Sequence, residues 1–331
     1  GSRTATAAST NYSLQNYAND VVATAKEGCE PNNVPVPTLV SESGRAIASH
    51  FSVLVFNVLG SGGLQQPAPP VEQDEPLIVR NLRETFQGIE VLPTDTPADP
   101  SRLQEAWNDA LKFKEDALAA FRLGYLSLKE RSMAEQLTWA CARALLDRLS
   151  DDTKLPDDLK TLPAVLAETY YANLSIFRSA PDTWAIQQLF PLMPLHRLNE
   201  KPTSLGHFAD LTCDSDGKLN RFIDDGQNKP LLELHPLKPN EPYLIGMFLG
   251  GAYQEVMGNL HNLFGSTDAA HIRLAPGGEY QVDHVVRGDT DAEVLEMMEH
   301  DPDQLLERLR MAREQAISKG QLRISEATRL M

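Results

Sequence analysis

The sequence predicts an α/β segment followed by a helical bundle, an all-β domain and two closing helices. Three observations predict this order. Residues 12–59 alternate helix, strand and helix signals. Residues 77–149 carry apolar stripes at helical spacing. From Thr169 the apolar runs shorten and turn residues separate them.

Residues 1–9 are small and polar and are expected to be poorly ordered. A helix is expected over 12–28, with Leu14, Tyr17, Val21 and Ala25 on one face. Pro35 and Pro37 then break the chain. Residues 38–42 read as a short buried strand and 45–59 as a second helical segment. Helix, strand, helix is the rhythm of a parallel α/β fold. One such unit cannot bury both faces of a sheet, so it completes something larger.

Residues 61–76 hold two glycines and four prolines, the composition of a linker. A helix is expected over 77–89. Leu103, Trp107, Ala110, Leu111, Ala117, Leu118 and Phe121 follow helical spacing after an Asp99-Pro100-Ser101 start signal. Ala134, Leu137, Cys141, Ala144, Leu145 and Leu149 form a further stripe, with Cys141 as packing. Residues 77–165 thus read as a small antiparallel helical bundle.

Strands are expected over 170–177, 190–196, 208–211, 219–223 and 243–249, giving an antiparallel β-barrel or sandwich. Gly250-Gly251 reads as the opening of a helix that Gly265 stops. Its apolar stripe is Tyr253, Val256, Met257, Leu260, Leu263 and Phe264, and His261 and Asn262 face solvent. A helix start preceded by glycines is a natural anion site. A hairpin is expected over 270–274 and 280–286, and helices near 291–299 and 302–318. Leu305, Leu306, Leu309 and Ile317 are the expected buried side of the last helix. The resulting division is 1–60, 61–76, 77–165, 166–290 and 291–331.

The 331 residues carry 30 basic and 46 acidic side chains, a net charge of −16, which argues against a nucleic-acid or anionic-membrane surface. Three widely spaced cysteines, 29, 141 and 213, without a Cys-x-x-Cys pair suggest a reducing compartment and no structural zinc. No apolar run approaches the roughly 18 residues of a membrane span. No signal peptide is evident, and a cytosolic protein is expected.

The stretch that carries chemistry is Leu205 to Gly217. Phe208 and Leu211, then Leu219, Phe222 and Ile223, read as two strands around Cys213-Asp214-Ser215-Asp216-Gly217. Asp and Ser bond their own backbone in turns, and Gly217 allows a positive φ. A thiol and two carboxylates are lifted onto one tip. On residue types alone, an Asx-rich hairpin that happens to contain a cysteine is the favoured reading. An EF-hand loop is excluded, because its acidic and amide spacing before the glycine is missing.

Asp210-Leu-Thr-Cys-Asp-Ser-Asp-Gly217 resembles the cysteine–aspartate loop of the fold-type III pyridoxal-phosphate decarboxylases of basic amino acids, the arginine decarboxylases most closely. Three further stretches agree in order: Ser41-Glu-Ser-Gly-Arg-Ala46, the run from Phe190 to Pro202, and Gly250-Gly-Ala-Tyr-Gln-Glu-Val-Met-Gly-Asn-Leu-His-Asn-Leu-Phe-Gly265. The resemblance covers nearly the whole chain, but only the C-terminal half of the family's polypeptide.

The resemblance implies that residues 1–60 end a (β/α)8 barrel of the alanine-racemase kind, whose chemistry sits at the C-terminal ends of its strands. It implies decarboxylation of L-arginine to agmatine with pyridoxal 5'-phosphate, an entry to polyamine synthesis. Glu42 matches the glutamate facing the cofactor's pyridinium nitrogen. Arg45 and Tyr253 match residues that hold its phosphate, and Gly44 lets the backbone turn closely there. Cys213 matches the catalytic thiol that protonates the α-carbon. Asp214, with Asp216 assisting, matches the carboxylate for the substrate's distal cation. The family's loop reaches a neighbouring subunit, which implies a homodimer or higher homo-oligomer. Mg2+ is commonly ascribed to the family, with no ligand cluster visible here. The family's Schiff-base lysine lies upstream of the matched region. This chain alone is therefore expected to be inactive and to work with the N-terminal half of the same enzyme. A non-catalytic, decarboxylase-derived regulatory or binding subunit is the alternative.

Overall fold

The structure, a computed structural model, describes residues 12–63, 67–93, 99–149, 156–224 and 228–330. Residues 1–9, with their expected disorder, lie outside the described residues.

The first helix, α1 (Leu14–Cys29), is capped by the Ser13 side chain, which accepts from Asn16 N. Its apolar stripe is exposed, and none of its residues is buried. The strand expected at 38–42 does not form. These residues have no regular structure and pair with no strand among the described residues, and Val40 is 90% exposed. A strand exists by its ladder, and no described strand lies beside this one to supply it.

The helix expected over 45–59 is also corrected. It is a short α2 (Gly44–Ala48) and one 3-10 turn, followed by the strand β1 (Val53–Gly62). Val-Leu-Val-Phe-Asn-Val-Leu is β-branched and aromatic, and Phe56 and Val58 point alternately inward. Residues 53–62 therefore belong to the sheet of the later β region.

Helices α3 (Leu77–Glu90), α4 (Pro100–Arg122) and α5 (Leu128–Leu146) form the bundle. Their termini are written locally. Asp99 accepts from Ser101 N ahead of Pro100, and Ser127 and Glu130 form a reciprocal capping box. Val79, Leu82, Leu103, Trp107, Leu137 and Leu145 fill the core, closed by α6 (Asp157–Lys160) and α7 (Leu162–Val165). Cys141 lies in that core, and burial pushes its thiol up to about 12. The buried Arg83 guanidinium donates to Glu75, Pro69 O and Pro70 O, which ties the segment before α3 to the bundle.

Strand β2 (Glu168–Ala172) ends sooner than expected. Residues 176–185 turn into two short helices, α8 (Ile176–Ser179) and α9 (Pro181–Ala185). Then come β3 (Leu192–Pro194), β4 (Ser204–Ala209), β5 (Lys218–Leu219), the paired β6 (Phe222–Ile223) and β7 (Asn228–Lys229), β8 (Leu232–Leu234) and β9 (Leu244–Phe248).

Among the described residues one nearly closed, barrel-like sheet runs β3-β9-β1-β2-β4-β5, with β8 also on β4. It is not wholly antiparallel, because β2 and β4 run parallel, with Tyr170 opposite Phe208. Phe56, Tyr170, Phe208, Phe222 and Ile245 form its core. The Phe56 and Phe208 rings meet edge to face at 5.5 Å.

The long helix expected after Gly250 is the largest correction. Only α10 (Gln254–Met257) is α-helical, and His261–Leu263 is a distorted 3-10 turn. Gly258 leaves the helix, and Asn262 and Leu263 adopt left-handed backbone. The expected stripe is largely outside: Val256 and Met257 are exposed. A Cβ at Gly258 would collide with Arg178 O, so the chain is pressed against α8 where the helix would continue.

The hairpin β10 (Ala269–Leu274) and β11 (Tyr280–Val286) forms as expected around Gly277 and Gly278, both at positive φ. So do α11 (Asp291–Met297) and α12 (Pro302–Ser318). Leu305, Leu306 and Leu309, however, are exposed rather than buried. No helix among the described residues is long and apolar enough to cross a membrane.

Candidate active site

The Cys213 tip is the turn between β4 and β5, where Phe208 faces Leu219 and Ala209 faces Lys218. One carboxylate holds it. Asp210 is 6% exposed and accepts from Thr212 N at 2.8 Å, Thr212 Oγ1 at 2.7 Å and Ile176 N at 2.9 Å. The first two bonds shape the tip, and the third pins it to α8. Gly217 is required for space and not, as expected, for a positive φ. A Cβ there would collide with Asp210 Oδ1 and come within 2.6 Å of Thr212 Oγ1.

Cys213 is exposed on this tip. Asn262 Nδ2 donates to its Sγ at 3.3 Å. Asp214 Oδ1 accepts from Asp216 N at 2.9 Å, and its Oδ2 lies 3.9 Å from His261 Nε2. That separation is electrostatic contact rather than a hydrogen bond, and His261 Nε2 makes none although buried. The His261 ring rests on Phe177 of α8, centroids 4.3 Å apart. Asn262 is solvent-exposed, as expected, while also reaching the tip, and the partly buried His261 is turned toward Asp214 and Phe177.

A second group forms around α2. Arg45 Nη2 donates to Asp182 Oδ2 at 2.6 Å, and its guanidinium sits 4.7 Å from the Tyr253 ring centroid. Asp182, 4% exposed, also accepts from Gln254 Nε2 at 2.8 Å, and its own N donates to Gln254 Oε1 at 3.1 Å. Tyr253 holds a left-handed φ of 71°, which turns its ring back over α2. A Cβ at Gly44 would stand 2.6 Å from the Tyr253 hydroxyl, so glycine lets that hydroxyl reach the backbone at the start of α2. Because α10 has only four residues, the expected helix-start anion site is absent. A guanidinium and a phenol hydroxyl stand there instead.

Six residues expected at a site thus fall into two groups, Gly44–Arg45–Tyr253 and Cys213–Asp214, with Asp216 at the edge of the second. Glu42 is exposed in the unpaired stretch before α2 and makes none of these contacts. Both groups hang on residues 176–185, which sequence reasoning read in part as strand. Asp182, Gln254 and Arg178 were missed, and Ser-Ala-Pro-Asp carries only a turn signal. Arg178 donates to Glu255 O, Gly258 O and Ser266 Oγ, fixing the segment that carries Tyr253.

Residues 72–163 match the family described as the arginine decarboxylase helical bundle domain, and residues 292–331 the arginine decarboxylase C-terminal helical extension. The chain is 69% identical over 331 residues to the biosynthetic arginine decarboxylase of Prochlorococcus marinus strain MIT 9313. Along its whole length the chain is similar to the biosynthetic arginine decarboxylases. That alignment covers 100% of this chain and 51% of the relative. The corresponding enzyme of Synechococcus sp. strain RCC307 is 70% identical over 332 residues, covering 100% of the chain and 50% of the relative. The chain spans about half the length of the curated relatives it matches. Among solved structures, the biosynthetic arginine decarboxylase of Campylobacter jejuni superposes with a TM-score of 0.77 at 31% identity, covering 97% of this chain and 50% of that one.

Proposed function

We propose that this chain is the C-terminal part of an enzyme that decarboxylates L-arginine to agmatine, working with the N-terminal half of the same polypeptide. The observation that carries the reading is the 69% identity across all 331 residues to a biosynthetic arginine decarboxylase. The two side-chain groups give those residues work that fits it.

Pyridoxal 5'-phosphate is the proposed cofactor, and the donor set suits its phosphate. Arg45 offers a forked cation, Tyr253 a hydroxyl, and Gly44 a backbone that admits close approach. Asp182 and Gln254 hold the guanidinium in place. Glu42 is assigned to the cofactor's ring nitrogen. When bound, the cofactor ring supplies the electron sink for loss of CO2 from the α-carbon. Cys213 supplies the proton that the α-carbon then takes up, from a thiol held on a fixed tip. Asp214 binds the guanidinium end of the substrate, with Asp216 beside it. Among the described residues no group of three or more His, Cys, Asp or Glu is placed to hold a metal ion, so Mg2+ is given no residues.

Residues ahead of β1 are proposed to complete a (β/α)8 barrel, those after β1 up to 76 to lead into the bundle of 77–165, 166–290 together with β1 to form the β domain, and 291–331 the closing helices. Apolar residues that nothing among the described residues covers support a companion segment. They include Leu14, Val40, Ile47 and Phe51, and Ile272 and Leu274 on the hairpin. A homodimer with shared active sites and a cytoplasmic location complete the reading.

The test is agmatine formation from L-arginine by the chain assembled with its N-terminal half. Cys213→Ala is expected to lower it by roughly 10²-fold or more, the range for a positioned acid. The chain alone is expected to form none. Agmatine formation by the isolated chain would refute the reading. Undiminished activity in C213A would favour a binding subunit instead.

A further inference from the structure

The turn that carries Asn262 has a shape that its sequence does not favour. Asn262 sits at φ 55°, ψ 28° and Leu263 at φ 62°. Asparagine tolerates the left-handed region, and leucine seldom adopts it. Such a turn persists only where its surroundings fix it. Here they do. Leu263 N donates to Leu260 O at 2.8 Å, His261 N to Asn259 Oδ1 at 2.9 Å and Asn259 N to Phe177 O at 3.2 Å. The His261 ring lies on Phe177. The thiol's own loop is tied to Ile176 through Asp210. Two adjacent residues of α8 therefore set the distance between the amide of Asn262 and the sulfur of Cys213.

We propose that Asn262 is a positioning residue for Cys213. Its side-chain N–H occupies a sulfur lone pair and directs the S–H away from the turn. It also stabilises the charge left on sulfur once the proton is given. The destination of that proton rests on the decarboxylase reading; the contact does not. In the transfer the S–H bond breaks and a C–H bond forms at the α-carbon that has lost CO2. Sulfur keeps the electron pair, and solvent returns the proton. Charged and titratable groups lie on the elements around this contact. Asp214 and Asp216 are on the thiol's own loop, and His261 on the facing turn stands 3.9 Å from Asp214 Oδ2. Arg178 of α8 is held by Glu255 O, Gly258 O and Ser266 Oγ. The Asn262 amide is a neutral donor to this sulfur whose charge does not change with pH.

The experiment is iodoacetamide alkylation of this chain without cofactor or substrate, resolved by peptide mass. The rate at pH 7.5 divided by the high-pH plateau reads the thiolate fraction, and the plateau itself reads access. Cys29 is the internal reference, and buried Cys141 stays silent. Asn262→Gly and Asn262→Asp both accept left-handed backbone, so the turn is kept while the donor is removed. In N262G the ratio at Cys213 is expected to fall about fivefold, the worth of one hydrogen bond to a charged group at an exposed site. In N262D it falls further, because a carboxylate then stands where the N–H donor was. Cys29 is unchanged in both. A Cys213 ratio in N262G equal to the native one overturns the proposal, whatever agmatine formation says about the decarboxylase reading.

Discussion

Replacing Asp210 by Asn tests the idea that one buried carboxylate holds the thiol tip. The native carboxylate accepts three hydrogen bonds, two from Thr212 at 2.8 and 2.7 Å and one from Ile176 N at 2.9 Å. Asparagine has one acceptor oxygen. Turned toward Thr212, it leaves its own NH2 facing the Ile176 N–H, donor against donor. Turned toward Ile176, it leaves two donors unmet, which is worse. The first orientation wins. It costs about 1–3 kcal/mol for the orphaned Ile176 N–H, and about 1 kcal/mol for loss of charge on the remaining bonds. The sum is roughly 2–4 kcal/mol, confined to the tip and α8. The assay is amide hydrogen exchange at Ile176 and Thr212 in D210N. Exchange is expected to accelerate by roughly thirtyfold to several hundredfold, at tenfold per 1.4 kcal/mol. The helical bundle has a separate core and keeps its native exchange. Rates at Ile176 within about threefold of native would refute the reasoning.

Further outcomes follow from two ion pairs, one partly exposed and one buried. In Asp182→Ala, Arg45 loses its carboxylate and Gln254 keeps only Ala252 O as acceptor. Because the Arg45 side chain is 41% exposed, the pair is discounted to about 1 kcal/mol, and pyridoxal-phosphate affinity of the assembled enzyme should fall about fivefold by fluorescence titration. Equal affinity would remove the anchoring role. In the bundle, the Arg83 hydrogen bond holds the Glu75 carboxyl below its usual range, partly opposed by burial. A depressed folded pKa gives stability that is complete above the unfolded value, about 4.3, and is lost as pH falls through the folded value. Helical circular dichroism in urea should show the midpoint dropping on acidification below about pH 4.5. Glu75→Gln should cost about 3 kcal/mol at pH 7 by leaving Arg83 buried and unpaired, and should flatten that acid limb.

Much of this molecule was readable where information is local. Asp99-Pro100 and Ser127…Glu130 mark helix starts by themselves, and the stripes of α3, α4 and α5 record a core made of near neighbours. The Asp210–Gly217 tip was readable for the same reason, since Asx residues write their own turn. What depends on distant partners was not. Val53–Leu59 fits a buried helix or a strand equally well, and β9, far along the chain, decides the matter through Phe56 opposite Ile245. The helix after Gly250 was a sound reading of spacing, overruled because Arg178 O presses against Gly258. His261 and Asn262 looked like a polar edge until the fold brought Cys213 to them across 49 positions. The stripes of α1 and α12 are apolar as read, and among the described residues they are left exposed.

The pairing of β1 with β2 has a consequence of its own. Gly62 stands opposite Thr169 in an antiparallel ladder, so the whole helical bundle is the loop of one β-hairpin. Its two ends enter and leave a strand's width apart. An insertion of that kind makes no demand on the ladder it interrupts. Closing a flexible loop of about a hundred residues rather than four would cost roughly 3 kcal/mol more in chain entropy. A bundle that folds first draws its own ends together and removes most of that cost. The helices can thus be gained, lost or exchanged as a cassette, while the strands that carry the thiol tip keep their register.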